Sequence, residues 1–269
     1  MRFRWSPALG FLVLFSVTSA AEDWPGHQRL TREQLLTAVA NSTPQARADV
    51  SSKNLSGLDL SGVDFKGANL SATVFNHAIL RGAILAHCNL TVSFGEGADF
   101  SRADLRGAEM FSMQLAGADF RGANLTGARF IGDMTHAQLE KAVLTNLRAG
   151  ADMTNQSMGL MNARFKSARL NDADLSGADV SRADFSFATL AGAKFAGAKL
   201  VRADFSGADL SGADLSNADL RDATFIDTDF TSAKLRGAQF AGSTWRNVRG
   251  LDDAAVRGAT GIPVDVAKQ

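Results

Sequence analysis

Few side chains in this sequence combine the type and the spacing that chemistry needs. His77, His87 and Cys88 offer nitrogen and sulfur donors close together in the chain and invite a metal site, but the repeat would set the two histidines on opposite sides of one coil and Cys88 inward, so no metal is assigned to them. Six of the seven methionines (Met110, Met113, Met134, Met153, Met158 and Met161) fall in one stretch, and clustered thioethers could bind Cu(I). Flexible methionine also fills irregular apolar space, and this is the reading adopted here. Asp209, Asp227 and Asp229 would form an acidic corner, although Asp is frequent enough here for chance to place them together. Asn41, Asn54, Asn69, Asn89 and Asn124 each open an Asn-x-Ser/Thr sequon, but most of these are the chain's own repeating pattern. No Ser/His/Asp set, phosphate-cradling loop or paired catalytic carboxylate stands out. The sequence therefore reads as non-catalytic, with no cofactor and no metal.

Composition narrows the class further. The 269 residues carry 28 basic and 28 acidic side chains, one Cys and no Tyr. Zero formal charge argues against a general nucleic-acid binder, and a single cysteine excludes a disulfide framework. Arg2 and Arg4, an apolar run from Pro7 to Val17, and Thr18-Ser19-Ala20 have the order of a secretory signal peptide cut after Ala20 or Ala21. The apolar run is shorter than the roughly 20 residues a membrane span needs. The expectation is export, periplasmic rather than fully extracellular, with no transmembrane segment in the mature chain.

The elements that must position any site follow from a period of five. From Phe165 to Trp245 all seventeen residues at positions divisible by five are apolar, and fifteen of the seventeen residues two places earlier are Ala. From Val50 to Phe130 all but Gly95 of the corresponding seventeen are Val, Leu, Phe or Met. Five residues turn an α-helix by about 140°, which would scatter these centres over every face. Within one unit, however, Ala and Leu lie two apart and point the same way, as in a short strand. The next two residues are turn formers. Each unit is thus a short inward-facing side followed by a corner, and repetition gives a solenoid around a dry column that includes Leu70, Phe120, Leu175, Phe185, Phe205, Leu215, Phe225 and Trp245. A Tyr at such a centre would bury a hydroxyl without a partner, which accounts for the absence of Tyr.

The unit, seen twice running in Gly207-Ala-Asp-Leu-Ser211 and Gly212-Ala-Asp-Leu-Ser216, resembles that of the pentapeptide-repeat family. The resemblance covers about Val50 to Trp245 and implies an all-β solenoid, a right-handed quadrilateral β-helix with four units per coil. Residues twenty apart would then stack, so Asp174, Lys194, Asp214 and Lys234 alternate in sign up one face, and Asp179, Lys199 and Asp219 up the next. A gyrase-protecting branch of this family implies a second reading, a DNA-mimic inhibitor of a topoisomerase. An export signal and the interrupting lysines speak against it.

The expected organisation is a signal peptide (1–20), an N-terminal segment with a capping helix (21–47), a first block of coils (48–131), degenerate or interrupted repeats (132–162), a second block (163–247) and a C-terminal cap and tail (248–269). Leu90, Phe94 and Phe100, spaced four then six, read as one shortened unit and a compensating long one. For 132–162 two readings stay open: coils with bulged loops, which we favour, or a helix begun by the capping box Thr135-His-Ala-Gln138. Thr31-Arg-Glu-Gln34 is a second capping box, opening a helix that would cover the first coil. Phe111 and Ile131, outward and twenty apart, make the best apolar patch near the break; with Met153, Met158 and Met161 they form the candidate surface for a partner. The reading is a scaffold or protein-interaction module whose partner is a protein or cell-envelope component, not nucleic acid.

Overall fold

In the computed structural model the residues described are 24–43, 45–149, 163–251 and 258–263. The signal-peptide reading and Met153, Met158 and Met161 therefore lie outside the described residues. Elsewhere the period of five becomes a period of twenty. Asp49 pairs with Asn69, Asn69 with Asn89, and Asp174 with Lys194, then Asp214, then Lys234, every bridge parallel. Four five-residue sides make one turn, and each side bonds to the sides above and below. Longer stretches register as the pairs β1 (Gln28–Arg29) with β2 (Lys53–Asn54), β3 (Glu109–Gln114) with β4 (Arg129–Asp133), and β5 (Thr224–Ile226) with β6 (Thr244–Arg246).

Side-chain chemistry explains each position of the unit. The Ala and Leu/Phe positions are buried, and the twelve phenylalanines at unit centres are the largest fully buried side chains. Phe165, Phe185, Phe205 and Phe225 stack face to face at 5.0, 5.1 and 5.6 Å between centroids, and Trp245 ends the column 4.6 Å from Phe225. Where Thr73, Ser93 and Thr228 replace the small Ala, their hydroxyls donate to the carbonyls of Val50, Leu70 and Phe205, so no buried hydroxyl there is left unpaired. The Asp or Asn before the centre closes the corner: its side-chain oxygen accepts the amide two residues on, as Asp214 does from Ser216 at 3.0 Å and Asp204 from Ser206 at 2.9 Å. The corner then needs a left-handed residue, and Gly supplies it at many turns, for example Gly207 with φ of 69°.

Two irregularities depart from the expected register. Gly95, not Phe94, keeps the centre position: its amide bonds to the Gln114 carbonyl while the Phe94 amide bonds to Thr73. No unit is shortened there. Leu115, Phe100 and Met113 close over the place of the missing side chain, with Met113 Cε 3.7 Å from where a Cβ of Gly95 would stand. Phe94 points outward instead and packs on Trp24 at 4.6 Å.

Further on, Phe111 pairs with Ile131 but Met113 with Gly132, so a bulge removes one residue from the next turn. Asp119 accordingly pairs with Gln138, nineteen residues away, and Arg148 pairs with Asp179 across thirty-one. Residues 132–149 are therefore coil and not helix, with Met134, Leu139 and Leu144 buried as centres. Residues 150–162 lie outside the described residues.

At the lower end, α1 (Arg32–Ala40) begins at Thr31, whose hydroxyl accepts from Gln34 while the Gln34 side chain accepts from the Thr31 amide. Leu35 and Val39 are its buried residues. Lys66 donates to the Ala40 carbonyl at the helix end, where a cation suits the macrodipole. The preceding segment lies across the outward face at Val74 and Phe94. His27 Nε2 lies 3.0 Å from the Ala72 carbonyl and the Leu30 amide donates to Asn54. Val74, an outward position by the repeat, is fully buried.

Candidate binding surface

On the face that carries the bulge, Glu109, Arg129 and Arg148 take the outward position usually held by Asp or Asn. β3 and β4 set Glu109 beside Arg129 and Phe111 beside Ile131, and the next turn adds Arg148 above Arg129. Arg148 reaches Glu109 at 3.2 Å and Arg129 reaches it at 3.9 Å, so one carboxylate serves two guanidinium groups. The Arg129 guanidinium also sits 5.2 Å over the Phe111 ring, within cation–π range. Phe111 is half-buried, but Ile131 is only 3% exposed. The pair is thus stacked as its spacing implies, yet it is not an open apolar patch: an arginine roofs one ring and the isoleucine is covered. What the surface presents is a pair of guanidinium groups bridged by Glu109, one of them lying on an aromatic ring.

Arginine continues around this level. Arg164 pairs with Asp133 at 3.1 Å and Arg169 with Glu140 at 2.8 Å, each answering an acid one turn below. An arginine cannot close the corner as Asp does, so its presence before a centre marks a change in what that position is for. The sequence carries this signal in Arg129, Arg148, Arg164 and Arg169, which stand where Asp is usual, and a pattern of apolar residues alone does not reveal it.

The other candidates fall elsewhere. His77 and His87 lie at corners, each ring covering the glycine one turn on (Gly97 and Gly107), where an added Cβ would come within 2.7 and 2.6 Å of the ring nitrogen. Cys88 is buried in an Ala position between Ala68 and Ala108, and burial pushes its thiol up to about 12. Among the described residues no group of three His, Cys, Asp or Glu side chains could hold a metal ion. Asp209 stacks on Asp229, which Arg249 pairs at 2.8 Å. Sequence reasoning missed Phe187, a corner residue with φ of 59° and a 61% exposed ring that lies against Gly207 with Lys166 at 5.8 Å.

The profile of pentapeptide repeats matches residues 54–91, 112–146, 160–197, 168–207 and 208–247, more than half of the chain. The chain belongs to the pentapeptide-repeat family. Members adopt a right-handed quadrilateral β-helix and generally serve as structural or interaction modules rather than catalysts. Among solved structures, this pentapeptide-repeat protein is similar to HetL, a pentapeptide repeat protein involved in heterocyst differentiation regulation from the cyanobacterium Nostoc sp. strain PCC 7120. The two are 26% identical over 87% of this chain and 99% of HetL, with a TM-score of 0.56. Full-length QnrB1, a plasmid-mediated fluoroquinolone resistance protein, is 22% identical over 69% of this chain and 92% of its own, with a TM-score of 0.42. A pentapeptide repeat protein of the Arabidopsis thaliana thylakoid lumen is 24% identical over 56% of this chain and 71% of its own, with a TM-score of 0.25. No curated protein matches the chain. No helix among the described residues is long and apolar enough to cross a membrane.

Proposed function

We propose that this pentapeptide-repeat protein is an exported, non-catalytic interaction module that binds a protein or cell-envelope component through the arginine-rich level at its middle. One observation carries the reading: Arg129 and Arg148 share Glu109, and Arg129 also lies over the Phe111 ring, on a β-sheet lattice whose centres are fixed by burial. A rigid frame holds such groups with little ordering cost on binding, and arginine with aromatic residues dominates protein recognition energetics. The two guanidinium groups favour an acidic partner group, since one carboxylate already bridges them and leaves net positive charge. Export rests on the basic start, apolar core and small-residue site of the first twenty residues. DNA mimicry is not favoured, because it asks for a strongly acidic surface where this one sets arginines.

The test is fractionation of cells making the tagged protein, followed by affinity purification from the exported fraction. The wild type is expected there with its leader removed and with a co-purifying component that is lost in Phe111→Ser/Arg148→Glu but kept in Ser211→Arg. Retention of the uncut chain in the cytoplasm would overturn export, and a component kept by both variants would overturn the assigned surface.

A further inference from the structure

We propose that this chain associates with a second copy of itself, side by side and antiparallel, through the flat face made by residues 173–177, 193–197, 213–217 and 233–237. These four sides stack directly, and their outward charged column reads Asp174, Lys194, Asp214, Lys234. Beside it the face is low. Ser176, Ala196 and Ser216 fill the next position on three of the four sides, and only Arg236, at the end of the face, stands above the backbone beside the column. Lys194 approaches Asp174 only to 4.0 Å and remains 62% exposed, which leaves its ammonium free to meet a second carboxylate.

The order of the signs selects both the partner and its direction. A column that alternates acid, base, acid, base reverses sign about its midpoint. Two such faces docked parallel about a twofold axis set Asp on Asp and Lys on Lys. With the axis running across the face between Lys194 and Asp214, the two rods run in opposite directions, and Asp174 meets Lys234 of the second copy while Lys194 meets its Asp214. The symmetry gives each contact twice, so four opposite-charge pairs form together. A partner of uniform charge would meet attraction and repulsion in equal number on this column, so the face complements itself better than it complements nucleic acid or an acidic surface. Neighbouring columns lack the property: Asp184 stacks on Asp204, and the column of Asp179, Lys199 and Asp219 ends in the uncharged Gln239.

Four stacked sides span about 14 Å from first to last at the usual strand spacing. Such a contact falls below the area of a standard stable interface, so the association is weak and depends on charge. Sedimentation of the full chain should show a monomer–dimer equilibrium in about 0.01 M salt, with the association constant falling at least about tenfold in about 1 M salt, where the Debye length shrinks from about 30 to about 3 Å. Lys194→Asp/Lys234→Asp makes the column wholly acidic, and Asp174→Lys/Asp214→Lys makes it wholly basic. Each variant alone should be monomeric, and an equal mixture should restore a one-to-one dimer. Ser216→Trp, with every column charge kept, should also be monomeric, and circular dichroism would establish that it is folded. A wild type that stays monomeric up to about 1 mM, charge variants that dimerise alone, or a mixture that stays apart would each overturn the proposal. Should a charge variant fail to fold, a dimer persisting in folded Ser216→Trp would overturn it equally.

Discussion

Replacing Phe205 by Ala probes the column that holds the upper coils together. The ring is fully buried and lies nearly parallel to its neighbours, 5.1 Å from Phe185 at 5° and 5.6 Å from Phe225 at 9°, with Phe195 edge-on at 6.2 Å. Truncation removes the ring from three aromatic contacts at once and leaves a cavity that coils fixed by backbone bonds above and below cannot close. Phe→Ala at such sites costs about 3–5 kcal/mol, and each aromatic pair accounts for about 0.5–1.5 kcal/mol beyond buried area, so the upper half of the range is expected. Urea denaturation followed by circular dichroism measures this, with Phe187→Ala as the control. That ring is 61% exposed and the same left-handed backbone is kept, so its loss should stay within about 0.5 kcal/mol. Because each coil touches only its neighbours, hydrogen exchange should show protection lost first around 185–225 and kept around 60–120. A cost below about 1.5 kcal/mol, or equal loss of protection along the whole rod, would refute the stacked-column account.

Three further outcomes follow. Phe205→Tyr keeps the ring but buries a hydroxyl among carbon atoms, and should cost about 1–3 kcal/mol by the same denaturation assay. Gly132→Ala places a methyl against the Met113 carbonyl oxygen at the bulge, where backbone and not a flexible side chain must yield; a loss of about 1–3 kcal/mol in thermal or urea melts is expected. Acid should weaken the rod in a defined window. Hydrogen bonds from Arg106 hold Asp104 below its ordinary 3.8; at Asp214 burial raises the value, but the Ser216 hydrogen bonds outweigh it and the net shift is also downward. A folded-state value below the unfolded one means the folded chain binds fewer protons, so this stability is complete above about pH 4 and fades as pH falls through the lower folded values. Melts from pH 7 to pH 2 should show the loss confined to the acid end, and replacing Asp214 by Ala should reduce it.

Much of the rod is legible in the sequence because inward positions have a single task. Leu, Phe and Ala recur every five residues since a column one side chain wide admits little else, and that spacing alone excludes helix and flat sheet. Outward positions are harder because one residue type serves two ends. The Asp before each centre looks like a solvated charge, yet Asp214 also closes its corner by accepting the Ser216 amide, which spacing does not reveal. Phe94 misled for a related reason. As an apolar residue beside Gly95 it resembles a displaced centre, whereas inter-coil bonds keep Gly95 in register and Trp24, seventy residues earlier, covers the ring. The alternative of a helix begun at Thr135 failed because Leu139 and Leu144 also fit the five-residue step, and pairing with the coils on both sides decides between the two periods. At the candidate surface, spacing placed Phe111 against Ile131, but the arginine over the ring and the burial of Ile131 depend on neighbours that a single column does not contain.

The proposal of an exported module that binds at its middle is tested most directly by placing a photo-crosslinking amino acid at Phe111 in one version of the chain and at Ser211 in another, each in cells that make the full protein. Irradiation should give a discrete adduct from position 111 in the exported fraction, reduced by Arg148→Glu, and none from position 211. Equal adducts from both positions, or none from 111, would contradict it.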